Sequence, residues 1–214
     1  EMLRSLVGSE MCIRDRPGSY LYCGLSRDAS KEEILERINN NTITDILNKI
    51  EVKAGDVVMV KAGTIHAIGA GVFICEIQQN SNCTYRMYDY DRRDKFGNPR
   101  ELHVKKALDV VDNHKYIKDN KTEVVIARNE HFTEERLVQC KYFEVYKYDV
   151  NDEAKITVDE ASFVSVLFIN GSGTIETDDY EKTMEFKAGD SFFVSAGLRS
   201  IIIKGQATMV VTRV

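Results

Sequence analysis

His66, Glu76 and Arg86 are the residues whose types and spacing could support chemistry. His66 follows the alternating stretch VKAGDVVMV and a turn at Ala62-Gly63. A neutral imidazole at the end of a strand is a good ligand for a divalent metal, but such a histidine also fills a core when its ring nitrogens are bonded. From the residues alone, both interpretations of His66 stay open.

Glu76 and Arg86 offer an acid and a fixed cation. Glu76 lies on the apolar stretch VFICEIQ, where a carboxylate could orient a ligand, shuttle a proton or pair with a buried arginine. Arg86 stays charged at any working pH and presents a planar fork of donors to an anion. Composition alone favours a surface salt bridge for Arg86, and the sequence does not separate the roles of Glu76.

An internal repeat links the two halves of the chain. The sequence KAGD at 53–56 recurs at 187–190, an offset of 187 − 53 = 134 residues. In each copy glycine supplies the backbone freedom of a tight turn and aspartate caps it. The offset places Ser200 where His66 stands. A histidine needed only for packing should recur in both copies, so the difference favours a chemical role for His66.

Period-two patterns predict strands in both halves, and helical spacing predicts short helices in the first half only. Ser30 and Glu33 have the form of a capping box at the start of the first helix, and Tyr20 and Tyr22 should share one face of a strand. The predicted elements are a strand at 18–24, a helix from 31 to 38, strands at 72–78 and 84–90, a loop at 92–102, a helix from 104, a linker at 115–133 and a nearly all-β remainder.

The composition is that of a soluble globular protein. Of 214 residues, 43% are hydrophobic and 29% charged, and there is no apolar run of about 18 residues that would suggest a membrane span. The net charge is −5 and the basic residues are scattered, which argues against nucleic acid as a partner. We predict no membrane partner and a cytoplasmic location.

Five cysteines lie far apart and form no CxxC pair. An odd, dispersed set of this kind argues against a disulfide framework or a thiolate zinc site, and we predict reduced thiols. The five are Cys12, Cys23, Cys75, Cys83 and Cys140.

The first residues, EMLRSLVGSEMCIRDR, read differently from the rest. The segment has no h-region of a signal peptide and neither helical nor strand periodicity. Residues 3–16 resemble a translated sequencing adapter or an assembly artefact. We therefore interpret residues 1–16 as a non-native segment and leave it out of the fold prediction.

Two longer stretches, AGTIHAIGAGVFICEIQQNSNCTYRMYDYDR and PRELHVKKALDVVD, resemble the type I mannose-6-phosphate isomerases in their short bacterial form, which belong to the cupin superfamily. The resemblance runs from about Pro17 to the C-terminus. It implies a mostly β fold with two cupin (jelly-roll) β-barrel domains and a few short helices. Residues 17–114 would be the C-terminal part of the metal-binding cupin, and residues 115–214 a metal-free one.

The resemblance also implies an activity and a site. Enzymes of this family interconvert mannose 6-phosphate and fructose 6-phosphate through a cis-enediolate, with Zn²⁺ held by a glutamine, two histidines and a glutamate. His66 would be the last of these ligands, and Glu1 the remnant of the zinc glutamate. Glu76 and Arg86 match catalytic positions. The glutamine and first histidine belong to an upstream Q-V-H-P stretch, so we expect an N-terminally truncated chain, and its activity by itself is left open.

Two other functions compete with the isomerase. A two-cupin protein that binds a sugar or sugar phosphate without catalysis would carry the same fold. A metal-dependent cupin oxygenase would need two histidines and a carboxylate with open positions, and the H-x-H pair of many such cupins is absent. The oligomeric state is left open.

Overall fold

The structure, a computed structural model, describes residues 8–80, 84–118, 124–177 and 180–214. The chain divides into two compact units, residues 1–119 and 120–214. Within the described ranges, no helix is long and apolar enough to cross a membrane. The described chain is mostly β, as predicted, and its α-helices lie in the first unit.

The first unit contains short strands and helices. Its elements are β1 (Gly8–Arg14), β2 (Tyr20–Leu25), α1 (Lys31–Asn39), a 3-10 helix (Ile43–Ile46), β3 (Leu47–Glu51), β4 (Val57–Val60), β5 (His66–Ile68), β6 (Phe73–Gln78) and α2 (Val104–Val110). The strands form two three-stranded sheets, in the orders β4-β1-β6 and β3-β2-β5.

Strand β1 lies within residues 1–16, a segment that shows no strand periodicity and was left out of the fold prediction. It pairs antiparallel with β4 on one side and with β6 on the other. Residues 8–12 are all buried, so this part of the strand has no exposed face. Because a strand covered on both faces does not alternate, a search for period two cannot find it. The foreign origin of the segment stays a prediction.

Helix α1 begins as the capping box predicts. The side-chain oxygen of Ser30 accepts a hydrogen bond from the backbone N–H of Glu33 at 3.1 Å. The carboxylate of Glu33 pairs with Arg27 and Arg37. Helix α1 then buries its apolar face in a core that includes Ile34. The cap and the apolar spacing together explain why a helix forms here.

The predicted strand at 84–90 is wrong. The segment contains no strand, and its end is bent by two consecutive left-handed residues, Tyr90 (φ 55°) and Asp91 (φ 49°). A left-handed conformation costs a residue with a Cβ about 1–2 kcal/mol and breaks the extended geometry that a ladder needs. Alternation along the sequence did not reveal this turn.

The second unit is all β in its described part. Its strands are β7 (Val124–Arg128), β8 (Phe132–Gln139), β9 (Glu144–Val150), β10 (Glu153–Val158), β11 (Val164–Thr177), β12 (Tyr180–Lys187), β13 (Ser191–Val194) and β14 (Arg199–Arg213). Six of them follow the order β12-β11-β14-β9-β8-β7, with β10 on β14 and β13 on β11. Strand β7 occupies part of the predicted linker, which corrects that expectation. The pairings between described strands do not close a barrel.

The KAGD repeat forms the same turn twice. The side chain of Asp56 accepts the N–H of Lys53 at 2.9 Å, and that of Asp190 accepts the N–H of Lys187 at 2.9 Å. The glycine between them has φ 92° in the first copy and 94° in the second. The repeat seen in the sequence is therefore a structural one.

These turns identify matching strands in the two units. Gly55 donates to the carbonyl of Cys12 in β1, and Gly189 donates to that of Phe168 in β11, both at 2.8 Å. Strand β1 also pairs with β4 as β11 pairs with β13. Strand β1 thus has the structural role in the first unit that β11 has in the second.

Candidate metal centre

Three side chains of the first unit form a cluster that could hold a metal ion. Glu10, His66 and Glu76 each offer one ligand atom, and these atoms lie within 4.8 Å of one another. Glu10 and His66 are buried, whereas Glu76 is exposed. Oxygen and imidazole nitrogen donors are a ligand set that suits Zn²⁺. The structure therefore brings together two of the predicted site residues, His66 and Glu76, with one that was not predicted.

Strand pairing positions the two carboxylates. In the register of β1 with β6, Glu10 lies directly opposite Glu76. Directly paired residues project from the same face of a sheet, with Cβ atoms about 5 Å apart. Like charges so placed repel each other unless a cation or a proton lies between them. The register itself therefore favours a bound cation.

A hydrogen bond fixes the orientation of the His66 ring. Nδ1 of His66 lies 3.1 Å from the carbonyl oxygen of Thr64. A carbonyl oxygen only accepts, so Nδ1 carries the proton in this bond and Nε2 of the neutral ring keeps its lone pair. Nε2 lies 3.9 Å from Oε1 of Glu10. An N–H to carbonyl bond of this kind is the usual support for a metal-binding histidine.

A cavity of about 390 Å³ adjoins the cluster. Small-molecule sites in proteins have about 300 to 1,000 Å³, so this volume is large enough for a ligand. Besides Glu10, His66 and Glu76, the lining consists of three tyrosines, one arginine and the short stretch after His66. These residues are Tyr20, Tyr22, Tyr90, Arg92 and residues 67–70.

Burial raises the pKa of two of the three phenols in this lining. Desolvation raises the pKa of Tyr90 to about 12, with a further contribution from Tyr22. The pKa of Tyr22 is raised as well, first by desolvation and then by Tyr20. The rings of Tyr20 and Tyr22 meet edge to face, 5.3 Å apart, which confirms that they share a face of β2. At neutral pH the phenols of Tyr22 and Tyr90 can therefore donate hydrogen bonds to a ligand.

Arg86 lies elsewhere. It does not line the cavity formed by the described residues. Its Nη1 donates to the carbonyl of Glu101 at 3.1 Å, and its backbone N–H donates to Nδ1 of His103 at 3.3 Å. His103 therefore makes a structural hydrogen bond. The cation that the structure brings to the cavity is Arg92.

Glu1, the second predicted metal ligand, lies outside the described residues. Glu10 was missed because residues 1–16 were set apart as foreign. One signal could have found it: three apolar residues, Met11, Cys12 and Ile13, follow Glu10 directly. A buried acid in such a run is a candidate ligand.

The second unit has no such cluster at the matching positions. By strand register, Val166 matches Glu10, Ser200 matches His66 and Val211 matches Glu76. These two valines and the serine are almost completely buried. The same framework thus holds an apolar core in one unit and a set of metal donors in the other. The three donors of the first unit are therefore not a requirement of the fold.

The chain is similar to known mannose-6-phosphate isomerases. The family model of the mannose-6-phosphate isomerase cupin domain matches residues 133–214. The Bacillus subtilis protein YvyI is 41% identical over 190 residues, which cover 86% of this chain and 57% of YvyI. The chain thus spans little more than half the length of this curated relative.

Solved structures give the same result. The crystal structure of the mannose 6-phosphate isomerase from Bacillus subtilis matches with a TM-score of 0.88 and 34% identity, over 98% of this chain and 65% of that one. A zinc-bound mannose 6-phosphate isomerase matches with a TM-score of 0.65, over 97% of this chain and 65% of that one; its identity of 11% supports the fold alone.

Fold and cluster together define a cupin protein with a candidate metal centre in its first unit. More specifically, the chain belongs to the mannose-6-phosphate isomerase family. The family predicted from its motifs is confirmed.

Proposed function

We propose that this chain carries the metal-binding part of an isomerase that interconverts mannose 6-phosphate and fructose 6-phosphate. The observation that supports the proposal most directly is the cluster of Glu10, His66 and Glu76 beside a ligand-sized cavity. The relatives suggest the reaction, since a solved structure that is 34% identical to this chain is a mannose 6-phosphate isomerase. We further propose that the two units are the two cupin barrels predicted from the motifs.

Zn²⁺ fits the residues that are present. Two ligands that are each about 2.1 Å from a tetrahedral ion lie about 3.4 Å apart. The donor atoms of the cluster, within 4.8 Å of one another, need only small side-chain rotations to reach that separation. When bound, the ion would polarise an oxygen of the sugar as a Lewis acid. Glu10 and His66 are the buried members of the cluster and would be its ligands.

The isomerisation moves a proton between C1 and C2 of the sugar through a cis-enediolate, so the site needs an acid/base group beside those carbons. Glu76 is the exposed member of the cluster and lines the cavity. We assign the proton transfer to its carboxylate. The phenols of Tyr20, Tyr22 and Tyr90 would donate hydrogen bonds to sugar hydroxyls and orient the ring.

The catalytic role of Arg86 stays a prediction from the family resemblance. Arg86 is not among the residues that line the cavity. Its Nη1 is bonded to the carbonyl of Glu101, so direct contact with a sugar in the cavity would need a rearrangement of the 86–101 segment. Replacement by alanine tests the role. A loss of turnover with unchanged metal and sugar binding would support catalysis by Arg86, whereas a loss of thermal stability alone would leave it structural.

A coupled assay tests the activity. Turnover of mannose 6-phosphate should be measured for the 214-residue chain and for the longest open reading frame that contains it, with and without a chelator. We expect activity that a chelator abolishes and Zn²⁺ restores. Glu76→Gln should keep the metal within about threefold in affinity and lose at least about 100-fold in rate, the effect of removing a general base. Sugar-phosphate binding without any turnover would instead favour the non-catalytic binding protein.

A further inference from the structure

Arg92 is the one arginine or lysine that lines the cavity beside the metal cluster, among the residues the structure describes. The other charged groups of the lining are Glu10 and Glu76. A divalent ion in the cluster would balance these two carboxylates, and Arg92 would then give the cavity a net positive charge. Within this cavity, the guanidinium of Arg92 is therefore the side chain that would stabilise an anionic group of a ligand.

The guanidinium of Arg92 is held along one edge. Its Nη2 donates to Oδ1 of Asp89 at 2.6 Å, and its Nε donates to the carbonyl oxygen of Asp89 at 3.3 Å. Its central carbon lies 5.6 Å from the ring centre of Tyr90. With Nε and one N–H of Nη2 engaged, the edge formed by Nη1 and Nη2 remains for a ligand. A guanidinium edge binds two oxygens of a phosphate at once.

We propose that Arg92 binds the phosphate group of the sugar phosphate, an assignment that rests on the proposed function. A phosphate monoester carries close to two negative charges at neutral pH. The cluster borders a second, very small space that neither Arg92 nor the tyrosines line. The metal donors, the tyrosines and Arg92 all line the larger cavity, so a hexose 6-phosphate bound there would have its C1 end at the cluster and its phosphate at the arginine.

Asp89 is the positioning residue for this cation. It is buried, and its Oδ1 also accepts a hydrogen bond from Nη1 of Arg100 at 3.4 Å. Oδ2 of Asp89 is buried and has no hydrogen-bond partner among the described residues. A buried carboxylate is stabilised chiefly by the charge of its partners, so Asp89 and Arg92 fix each other. The strained left-handed backbone of Tyr90 and Asp91 lies between them, as expected where a turn is kept for function.

Calorimetric titration with mannose 6-phosphate, mannose and inorganic phosphate tests the assignment on the zinc-loaded chain. We expect Arg92→Ala to weaken mannose 6-phosphate and inorganic phosphate binding about 10- to 100-fold, the range for charge-assisted hydrogen bonds. Mannose and Zn²⁺ should bind as in the wild type. Arg92→Lys keeps the charge without the planar fork and should recover part of the loss. Asp89→Asn should fall between wild type and Arg92→Ala in phosphate affinity.

Arg93 provides a matched control. It is the next residue, its side chain is 53% exposed against 55% for Arg92, and it pairs with Asp91 at 3.0 Å. It does not line the cavity, so Arg93→Ala should change phosphate affinity by less than about twofold. Equal losses for the two alanine variants, unchanged phosphate affinity of Arg92→Ala, or no phosphate-dependent binding by the wild type would each overturn the assignment.

The same titrations separate this assignment from the proposed activity. If the isomerase proposal fails, turnover is absent while Arg92→Ala still weakens phosphate binding. If the phosphate assignment fails, turnover is present and Arg92→Ala leaves the affinity for mannose 6-phosphate unchanged. Arg92→Lys leaves the buried Asp89 with a cationic partner, so we expect this variant to fold. It therefore tests the assignment even if Asp89→Asn does not fold.

Discussion

Nε2 of His66 lies 3.9 Å from Oε1 of Glu10, and both side chains are buried, with 6% and 4% of their surface exposed. An ionised carboxylate inside a protein is costly unless an opposite charge or several hydrogen bonds stabilise it. A divalent cation meets that need and uses the lone pair that the Thr64 bond leaves on Nε2. This pair is the centre of the proposed zinc site.

Glu10 should therefore be essential for metal binding. Glu10→Ala should lower Zn²⁺ affinity by at least about 10-fold, because loss even of a supporting group costs 10- to 100-fold. Glu51→Ala, which removes an exposed carboxylate of β3, is the control and should have no effect. Competition with a chromogenic chelator gives the affinities. If Glu1→Ala abolished binding and Glu10→Ala did not, the ligand implied by the family resemblance would be the correct one.

The second unit indicates what the cluster costs in stability. A chain with Glu10→Val, Glu76→Val and His66→Ser reproduces the residues Val166, Val211 and Ser200 of that unit. Apolar residues that replace a buried charged group are often neutral or stabilising by 1–4 kcal/mol. We expect this triple variant to unfold in urea, with chelator present, at a concentration equal to or above that of the wild type, and to bind no Zn²⁺.

The reverse change is the control for that experiment. Val166→Glu introduces a carboxylate among apolar residues of the second unit and should cost about 3–5 kcal/mol. A triple variant of the first unit that was destabilised as strongly would mean that the cluster is needed for folding rather than for a ligand.

The repeated turns predict two equal effects. Gly55 and Gly189 have φ of 92° and 94°, and a Cβ added at either position would contact nothing within 4 Å. The cost of Gly55→Ala and of Gly189→Ala is thus backbone strain alone, about 1–2 kcal/mol each. Urea unfolding measures it. Gly8→Ala, at an ordinary φ, should cost less, and a neutral result for either turn variant would contradict the structure.

Stability should fall at alkaline pH. Burial raises the pKa of the Cys23 thiol to about 12 and that of Cys75 to about 11. Between about pH 9 and these values the unfolded chain has lost thiol protons that the folded chain keeps, so the free energy of unfolding decreases as pH rises. The contribution is present in full below pH 9 and is lost by about pH 12. Each thiol contributes at most about 1.4 kcal/mol per pH unit.

Urea unfolding at pH 8, 9, 10 and 11 measures this slope. Cys23→Ala removes one titrating thiol and should therefore give a shallower decrease than the wild type over the same range. The slope is compared rather than the absolute stability, so the volume lost with the sulfur does not affect the result. Identical slopes for the two proteins would contradict the burial of the Cys23 thiol.

The sequence predicted those parts of the site that follow from local pattern. His66 was singled out by its place after a strand and by the serine at the matching repeat position, and the structure brings it to the cluster. The KAGD turns and the start of α1 at Ser30 depend on a few adjacent residues, and both are confirmed. The family was found from ordered motifs.

What the sequence did not predict depends on contacts between distant segments. Glu10 becomes a candidate ligand only because β1 pairs with both β4 and β6, and nothing in its own residues reveals that pairing. The positions of Arg92 and Arg86 also depend on how the chain folds around them. Alternation at 84–90 predicted a strand, whereas the left-handed turn at Tyr90 takes Arg92 to the cavity and leaves Arg86 at the carbonyl of Glu101.

The central position of β1 has a practical consequence for protein production. The unusual first residues suggest expressing a protein that begins at Pro17. Such a protein would lack β1, so β4 and β6 would each have an unpaired edge. Unpaired edges of this kind recruit strands from other molecules. The shortened protein would be expected to collect in inclusion bodies, whatever the origin of the strand that it lacks.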